Sequence, residues 1–125
     1  MIVEAKIAPK NSLLLVMDKD SGEIPESMGG KLVVSTHSCV AIGTRSETDG
    51  QTLVTLTDEN IRAWEDPNLE LVFSGTLATP NKEVYICTVL LETILRLSVP
   101  NTETGLEVWA NHEIEPTRLC VSVRS

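Results

Sequence analysis

The sequence predicts an all-β protein, a single-domain antiparallel β-sandwich of about 8–9 strands. Apolar runs rich in Val, Ile, Leu and Thr recur along the chain, and turn-forming groups such as RSETDGQ, ATPNK and VPNTETG separate them. Polar and apolar residues alternate within several of these runs, which is typical of half-buried strands. The 125 residues, 42% of them hydrophobic, fit one domain spanning 1–125 with one core.

Nine strands are predicted in order along the chain. They span residues 3–8, 13–18, 31–44, 52–57, 69–79, 82–90, 94–99, 106–110 and 118–124. In LELVFSGTLAT, alternation places Leu69, Leu71 and Phe73 on one face. In ILRLSV, it places Leu95, Leu97 and Val99 on one face.

Three local features refine this prediction. Asp49-Gly50, between apolar runs, predicts a hairpin, because Gly adopts positive φ without steric cost. The run VYICTVLLETILRL also fits a helix with a polar stripe at Thr88, Glu92 and Arg96, but its β-branched content favours strands. A short helix is predicted over 58–65, with Asp58 as its N-cap.

The chain is acidic, with 18 acidic and 10 basic residues and a formal net charge of −8. Such a field repels phosphate backbones, and one Phe, one Tyr and two Trp offer few stacking platforms, so no nucleic-acid binding is expected. The N-terminus lacks a signal-peptide pattern, and no apolar run is long enough for a membrane helix. Three cysteines in apolar stretches predict reduced, buried thiols and a cytoplasmic protein without membrane association.

His37 and Cys39 lie two residues apart in the run VVSTHSCVAIGT, on one face if the run is a single strand. Their Cα atoms would then be about 6.6–6.8 Å apart, too far for parallel side chains to form a thiol–base pair. We therefore interpret them as a buried, hydrogen-bonded histidine and an inert thiol. The wider His and Cys spacing does not support a zinc site. With nucleophile-elbow, phosphate-loop and zinc-protease motifs absent, we expect no enzyme, no cofactor and no metal.

Acidic residues cluster around each of the two tryptophans, in DENIRAWEDPNLE and in EVWANHEIEP. Like charges repel one another, so a dense acidic cluster indicates either a cationic partner or a role in solubility. A tryptophan among such acids suits the anchor of a protein interface, although Trp109 also suits the core of a sandwich. The predicted partner-binding residues are Asp58, Glu59, Trp64, Glu65, Asp66, Glu70, Glu107, Trp109, Glu113 and Glu115.

The layout of the second half resembles that of the competence-protein-J family. The matching segments are LELVFSGTLATPNKEVYI, LRLSVPNTETG, LEVWAN and the final LCVSV, with weaker support from LLLVMDKD near the N-terminus. Members of that family are small acidic cytoplasmic inhibitors of a DNA-entry nuclease. The resemblance implies a β-sandwich-like inhibitor or immunity protein that blocks a basic nuclease, and it assigns no individual residue.

Two functional hypotheses follow. The first is a small acidic, non-enzymatic inhibitor or immunity protein that binds a basic, nuclease-like protein. The alternative is a ligand-binding or self-associating structural β domain whose acidity serves solubility, with a homodimer formed through an exposed strand edge. An enzyme that combines His37 or His112 with a cysteine is the weakest hypothesis, since buried structural thiols are inert.

Overall fold

The computed structural model describes residues 2–18, 22–59 and 67–124, which form two five-stranded sheets packed face to face. The strands are β1 (Ile2–Ile7), β2 (Leu13–Met17), β3 (Val33–Ser35), β4 (Cys39–Gly43), β5 (Thr52–Thr57), β6 (Glu70–Ala78), β7 (Glu83–Cys87), β8 (Thr93–Ser98), β9 (Glu103–Ala110) and β10 (Arg118–Arg124). Sheet A has the order β1-β5-β10-β9-β6, and sheet B has the order β3-β4-β2-β7-β8. The predicted all-β sandwich is confirmed.

The main core lies between the inner faces of the two sheets. Alternation creates it: in β9 every second residue, from Thr104 to Ala110, is buried, and the residues between them are half-buried. Leu56 of sheet A and Leu14 of sheet B both belong to this core and are almost inaccessible to solvent. Burying a side chain of this size stabilises the fold by roughly 1.5–3 kcal/mol, so the inter-sheet core is the main source of stability.

The strand count differs from the prediction, because the described residues form ten strands rather than 8–9. The predicted strand over 31–44 is wrong as a single element: it is a hairpin of β3 and β4, broken by a turn at Thr36–Ser38. The Thr36 hydroxyl accepts hydrogen bonds from the backbone N–H of Ser38 at 3.4 Å and of Cys39 at 3.1 Å. The threonine hydroxyl thus bonds two backbone N–H groups, and these local hydrogen bonds stabilise a turn in place of a continuous strand.

The connection after β4 also corrects the sequence interpretation. Asp49-Gly50 does not form a hairpin, because β4 belongs to sheet B and β5 to sheet A. Gly50 still adopts a positive φ of 125°, so the glycine permits the turn through which the chain crosses from sheet B to sheet A. Within sheet A, β10 pairs with β5 in parallel, so the sandwich is not purely antiparallel.

A β-bulge in β6 changes which residues share a face. Leu71 pairs with Trp109 and Phe73 with Val108, which places Leu71 on the outer face and Phe73 toward the core. The predicted common face for Leu71 and Phe73 is therefore wrong. In β8 and the residue that follows it, the expected alternation holds, since Leu95, Leu97 and Val99 all contact the main core.

The region 82–99 forms strands, as its β-branched content favoured. β7 ends at Cys87 and β8 begins at Thr93, so the predicted strand 82–90 is too long at its C-terminal end. The connecting loop, residues 88–92, closes with hydrogen bonds between Thr88 and Glu92. Leu90 and Leu91 therefore lie in a loop and are exposed rather than packed.

The outer face of sheet B carries a second apolar cluster. Its buried members are Leu15, Met17, Cys39, Ala41 and Cys87. Met28, from the segment 22–32 between β2 and β3, packs against this cluster. Gly22 allows that segment to approach, because a Cβ at this position would lie 2.0 Å from the Met17 sulfur.

The helix predicted over 58–65 falls mostly outside the described residues. Asp58 and Glu59 are described, and they form a bend directly after β5. In the described ranges, no helix is long and apolar enough to cross a membrane.

Candidate protein-binding surfaces

Five of the six described acidic residues of the predicted site lie at the two ends of sheet A, and the sixth, Glu107, lies on its outer face. Asp58 and Glu59 are exposed where β5 ends. Glu70 is exposed where β6 begins, and its partner Ala110 is the last residue of β9, at the opposite end of the sheet. From the strand register, Asp58 and Glu70 are separated by about 13 Å along the strands and about 14 Å across them.

Glu113 and Glu115 lie in the loop between β9 and β10, at the same end as Glu70, and both are exposed. His112 holds this loop, because its Nδ1 accepts hydrogen bonds from the backbone N–H of Ile114 at 3.1 Å and of Glu115 at 2.9 Å. The three glutamates therefore contribute charge at one end of sheet A, and Asp58 and Glu59 contribute charge at the other.

Glu107 and Trp109 are on the outer face of sheet A, away from the inter-sheet core. Glu107 forms an ion pair with Arg124, and only 15% of its side chain is exposed. Trp109 is half-buried, and its register partners on the neighbouring strands are Leu71 and Cys120. Its indole N–H is buried without a hydrogen-bond acceptor among the described residues. Glu107 thus adds little free negative charge, and Trp109 presents only part of its ring.

Three residues of the predicted site, Trp64, Glu65 and Asp66, lie outside the described residues. Their contribution to a partner-binding surface stays a prediction.

The interpretation of His37 as a buried residue is wrong. His37 lies in the turn between β3 and β4, its side chain is 77% exposed, and its Nδ1 is 3.7 Å from a carboxylate oxygen of Glu23. Cys39 begins β4 and is fully buried. The turn breaks the strand on which the two residues were expected to share a face, so their common-face geometry does not exist.

The thiols of Cys39 and Cys87 are buried in the outer apolar cluster of sheet B. Burial raises the pKa of Cys39 to about 12, with the nearby Cys87 thiol adding to the effect. Burial likewise raises the pKa of Cys87 to about 11. Cys120 is buried on the outer face of sheet A, on the other side of the core. Protonated, enclosed thiols are poor nucleophiles and poor metal ligands.

Metal-binding side chains do not gather at one point in the part of the chain that the structure describes. Of the zinc-binding residue types, His37, Cys39 and Cys87 belong to sheet B or its β3–β4 turn. The residues that would supply a fourth ligand, Cys120 and His112, belong to sheet A and its end loop, on the other side of the core.

A cavity of about 510 Å³ lies on the outer face of sheet B, and we call it the sheet B cavity. Two cross-strand pairs, Tyr85 with Arg96 and Cys87 with Thr93, form its floor. Ile24 and Leu91, both exposed, form its rim. The hydrogen bond that the Tyr85 hydroxyl donates to the Glu83 carboxylate raises the pKa of Tyr85, and burial adds a smaller contribution.

Sequence reasoning did not identify the sheet B cavity. Leu91 was read as part of an apolar run, and periodicity alone does not show that a loop interrupts that run. The segment containing Ile24 lies outside every predicted strand, and the structure anchors it to the β3–β4 turn through a hydrogen bond from the Glu23 backbone N–H to Ser38 Oγ at 2.8 Å. A usable signal is present in TVLLET, where a short apolar run, Val89 to Leu91, is flanked by the polar residues Thr88 and Glu92.

Two solved structures resemble the chain over nearly its whole length. One is ComJ from Bacillus subtilis, described as an inhibitor of the DNA degrading activity of NucA: the TM-score is 0.67, with 11% identity, 100% of this chain covered and 98% of that chain. This chain has a ComJ-like fold. The second is described as crocagin biosynthetic gene J, with a TM-score of 0.66, 14% identity, and 99% and 96% of the two chains covered.

The ComJ-like fold confirms the resemblance that the segment layout indicated. No family model matches the sequence. No curated protein matches it either. At 11% identity the likeness establishes the fold, and the roles of individual residues must be argued from this chain itself.

Proposed function

We propose that this protein is a non-enzymatic inhibitor of a basic, nuclease-type protein. The observation that carries the proposal is the ComJ-like fold over the whole chain, since ComJ is an inhibitor of a DNA-degrading activity. The net charge of −8 supports it independently. A protein that binds DNA presents a cationic surface, and an acidic domain is electrostatically complementary to that surface.

The mechanism we propose is direct competition with DNA. Exposed acids at both ends of sheet A, among them Asp58, Glu59 and Glu113, attract the cationic surface of the nuclease and accelerate association. Once bound, the inhibitor excludes the DNA backbone from that surface. No catalytic group is needed, which agrees with the buried, protonated thiols of Cys39 and Cys87.

The experiment captures the partner from a lysate of the source cells with the immobilised protein at low salt, and elutes it with rising NaCl. The eluted fraction is then assayed for degradation of plasmid DNA, with the protein added back. We expect a salt-eluted nuclease that is inhibited at a stoichiometric ratio, with inhibition weakening as salt rises. A fraction that degrades DNA equally well with and without an excess of the protein would contradict the proposal.

Two variants of equal net charge separate a localised surface from the overall field. The test variant combines Asp58→Asn, Glu59→Gln and Glu113→Gln. The matched control combines Glu26→Gln, Glu47→Gln and Asp49→Asn, three acids that are also exposed and that lie in the segments connecting β2 to β3 and β4 to β5. If the acids at the ends of sheet A contact the nuclease, the test variant should lose more inhibition than the control. Equal losses of inhibition in the two variants would mean that the acids act only through the overall charge of the protein.

A further inference from the structure

Large apolar side chains are concentrated and exposed to solvent around the rim of the sheet B cavity. Six large apolar residues are exposed in the described part of the chain, and three belong to this region: Ile24 at 45%, Leu90 at 64% and Leu91 at 59% exposure. Ile24 and Leu91 line the same cavity, and Leu90 precedes Leu91 in the loop 88–92. Exposed apolar groups that gather around a cavity mark an interaction surface.

The backbone of Leu91 adds an independent observation. Its φ is +64°, a left-handed conformation in which residues with a Cβ are strained. A glycine or asparagine would adopt this conformation at lower cost, and either would also avoid exposing an apolar side chain to water. Leu91 thus combines a strained backbone conformation with an exposed apolar side chain. Backbone strain of this kind is characteristic of positions with a binding role.

The charge around the cavity indicates which partner fits it. The described segments that form the cavity, residues 17–18, 22–24 and 83–96, hold four acids, of which Asp18 is fully buried, and one base, Arg96, which lines the cavity. Glu23 and Glu92 are exposed and directly adjoin the rim residues Ile24 and Leu91 in the sequence, and the carboxylate of Glu23 is 3.7 Å from the imidazole of His37. An apolar rim flanked by carboxylates is complementary to an apolar side chain flanked by Lys or Arg.

We propose that the sheet B cavity is the docking site for the basic protein partner. An apolar side chain of the partner enters between Ile24 and Leu91, and neighbouring cationic side chains face Glu23 and Glu92. This inference rests on the proposed function for the nature of the partner. The apolar residues lie at the exposed rim, an arrangement that suits a protein surface better than an enclosed small molecule.

The surface continues beyond the cavity toward sheet A. Arg96 lines both the sheet B cavity and a neighbouring cavity of about 320 Å³. Asp58 and Glu83 line that second cavity as well. A partner seated on Leu91 therefore reaches Asp58 across one continuous surface, which joins the apolar anchor to an acid of the sequence-predicted site.

The decisive variant is Leu91→Asn, because asparagine tolerates a positive φ and removes the apolar side chain. We expect this variant to unfold at the same urea concentration as the wild type or higher, while binding of the salt-eluted basic protein weakens about tenfold or more. Ile114→Asn is the matched control, since Ile114 is 68% exposed in the loop between β9 and β10. It should bind as the wild type does.

A second variant tests the electrostatic part of the inference. In Glu23→Gln/Glu92→Gln, binding should depend less steeply on NaCl concentration than in the wild type, because two carboxylates next to the rim are neutralised. The pair Glu47→Gln/Asp49→Asn removes the same charge from the turn between the sheets and serves as its control. An identical salt dependence in the two double variants would count against contact at the rim.

The outcomes separate this inference from the proposed function. If the captured protein is an inhibited nuclease and Leu91→Asn binds it with wild-type affinity, the inference is wrong and the proposed function stands. If Leu91→Asn selectively loses a captured basic protein that degrades no DNA, the docking site stands and the proposed function is wrong. Recovery of no protein other than the chain itself overturns both.

Discussion

On the outer face of sheet A the buried side chains are largely polar and bind one another, whereas on the outer face of sheet B they are apolar. In sheet A, the Thr55 hydroxyl donates to Glu4 at 2.6 Å and accepts from Arg118 at 2.5 Å. In sheet B, Leu15 and Met17 lie in an apolar cluster with two thiols. Polar contacts satisfy the groups that make them, but an apolar face must be covered to be stable.

The outer apolar cluster of sheet B is only partly covered, and in this respect it differs from the outer face of sheet A. The segment 22–32 covers the cluster through Met28, while the sheet B cavity stays open between Ile24 and Leu91. Sheet A therefore contributes charge at its ends, whereas sheet B contributes an apolar recess. A partner that uses both combines electrostatic attraction with apolar contact, which is the usual composition of a specific interface.

The largest effect that tests this comparison is expected from Leu15→Ala. Leu15 is fully buried on the outer face of sheet B, so its truncation should lower the free energy of unfolding by about 2–5 kcal/mol. Urea-induced unfolding measures the change. Leu90→Ala is the control, and because Leu90 is exposed it should change stability by less than about 0.5 kcal/mol. Similar values for the two variants would mean that the outer face of sheet B is not a second core.

An intermediate effect is expected from alkaline pH, through Cys39 and Cys87. Their pKa values are raised from 9.0 to about 12 and about 11, so the folded state retains protons that the unfolded chain releases. The contribution of these thiols to stability is therefore complete below pH 9 and decreases as pH rises from 9 toward 12. Unfolding measured across this range should show a smaller decrease in Cys39→Ala than in the wild type.

The same burial predicts slow alkylation of the thiols. Iodoacetamide at pH 8 should modify Cys39 and Cys87 slowly in the native protein and rapidly in urea. Rapid modification of native Cys39 would contradict the enclosed cluster and would restore the hypothesis of a reactive thiol.

The smallest effect is expected from the ion pair on the outer face of sheet A. The guanidinium of Arg118 is 3.6 Å from Glu4, and about half of the Glu4 side chain is exposed. A double-mutant cycle with Glu4→Gln and Arg118→Gln should give a coupling energy below about 1 kcal/mol, because solvent screens the pair. The coupling should decrease further at high salt. A larger, salt-independent value would show that sheet A also depends on a buried electrostatic network.

The sequence predicts the strands well where alternation is local and uninterrupted. The bounds predicted for β5 and β10 match the structure at both ends, since turn-forming residues flank each run. The break at Thr36 is not visible in the sequence because the run VVSTHSCVAIGT is mostly apolar, and a hydrogen bond that the Thr36 hydroxyl accepts from the Cys39 backbone N–H decides where the strand ends. The Asp49-Gly50 turn was identified correctly as a turn, but a turn does not specify which sheet the next strand joins.

The candidate site was less predictable, because it depends on which residues meet across the sandwich. Sequence clustering grouped Asp58 with Glu70, whereas the strand order β5-β10-β9-β6 and its register place these two residues at opposite ends of the sheet. Conversely, Ile24 and Leu91 are distant in the sequence, and segment 22–32 brings them to the rim of one cavity. No single-sequence pattern encodes either relation, since both follow from non-local pairing.

The position of β10 in sheet A has a consequence for synthesis of the protein. β10 follows every other described strand in the sequence, yet it lies in the middle of sheet A between β5 and β9. As the chain leaves the ribosome, β5 and β9 each present an unpaired edge until Arg118–Arg124 has emerged. Completion of sheet A thus depends on pairing between segments that are distant in the sequence, and the unpaired edges of β5 and β9 favour association of unfinished chains with one another until β10 is inserted.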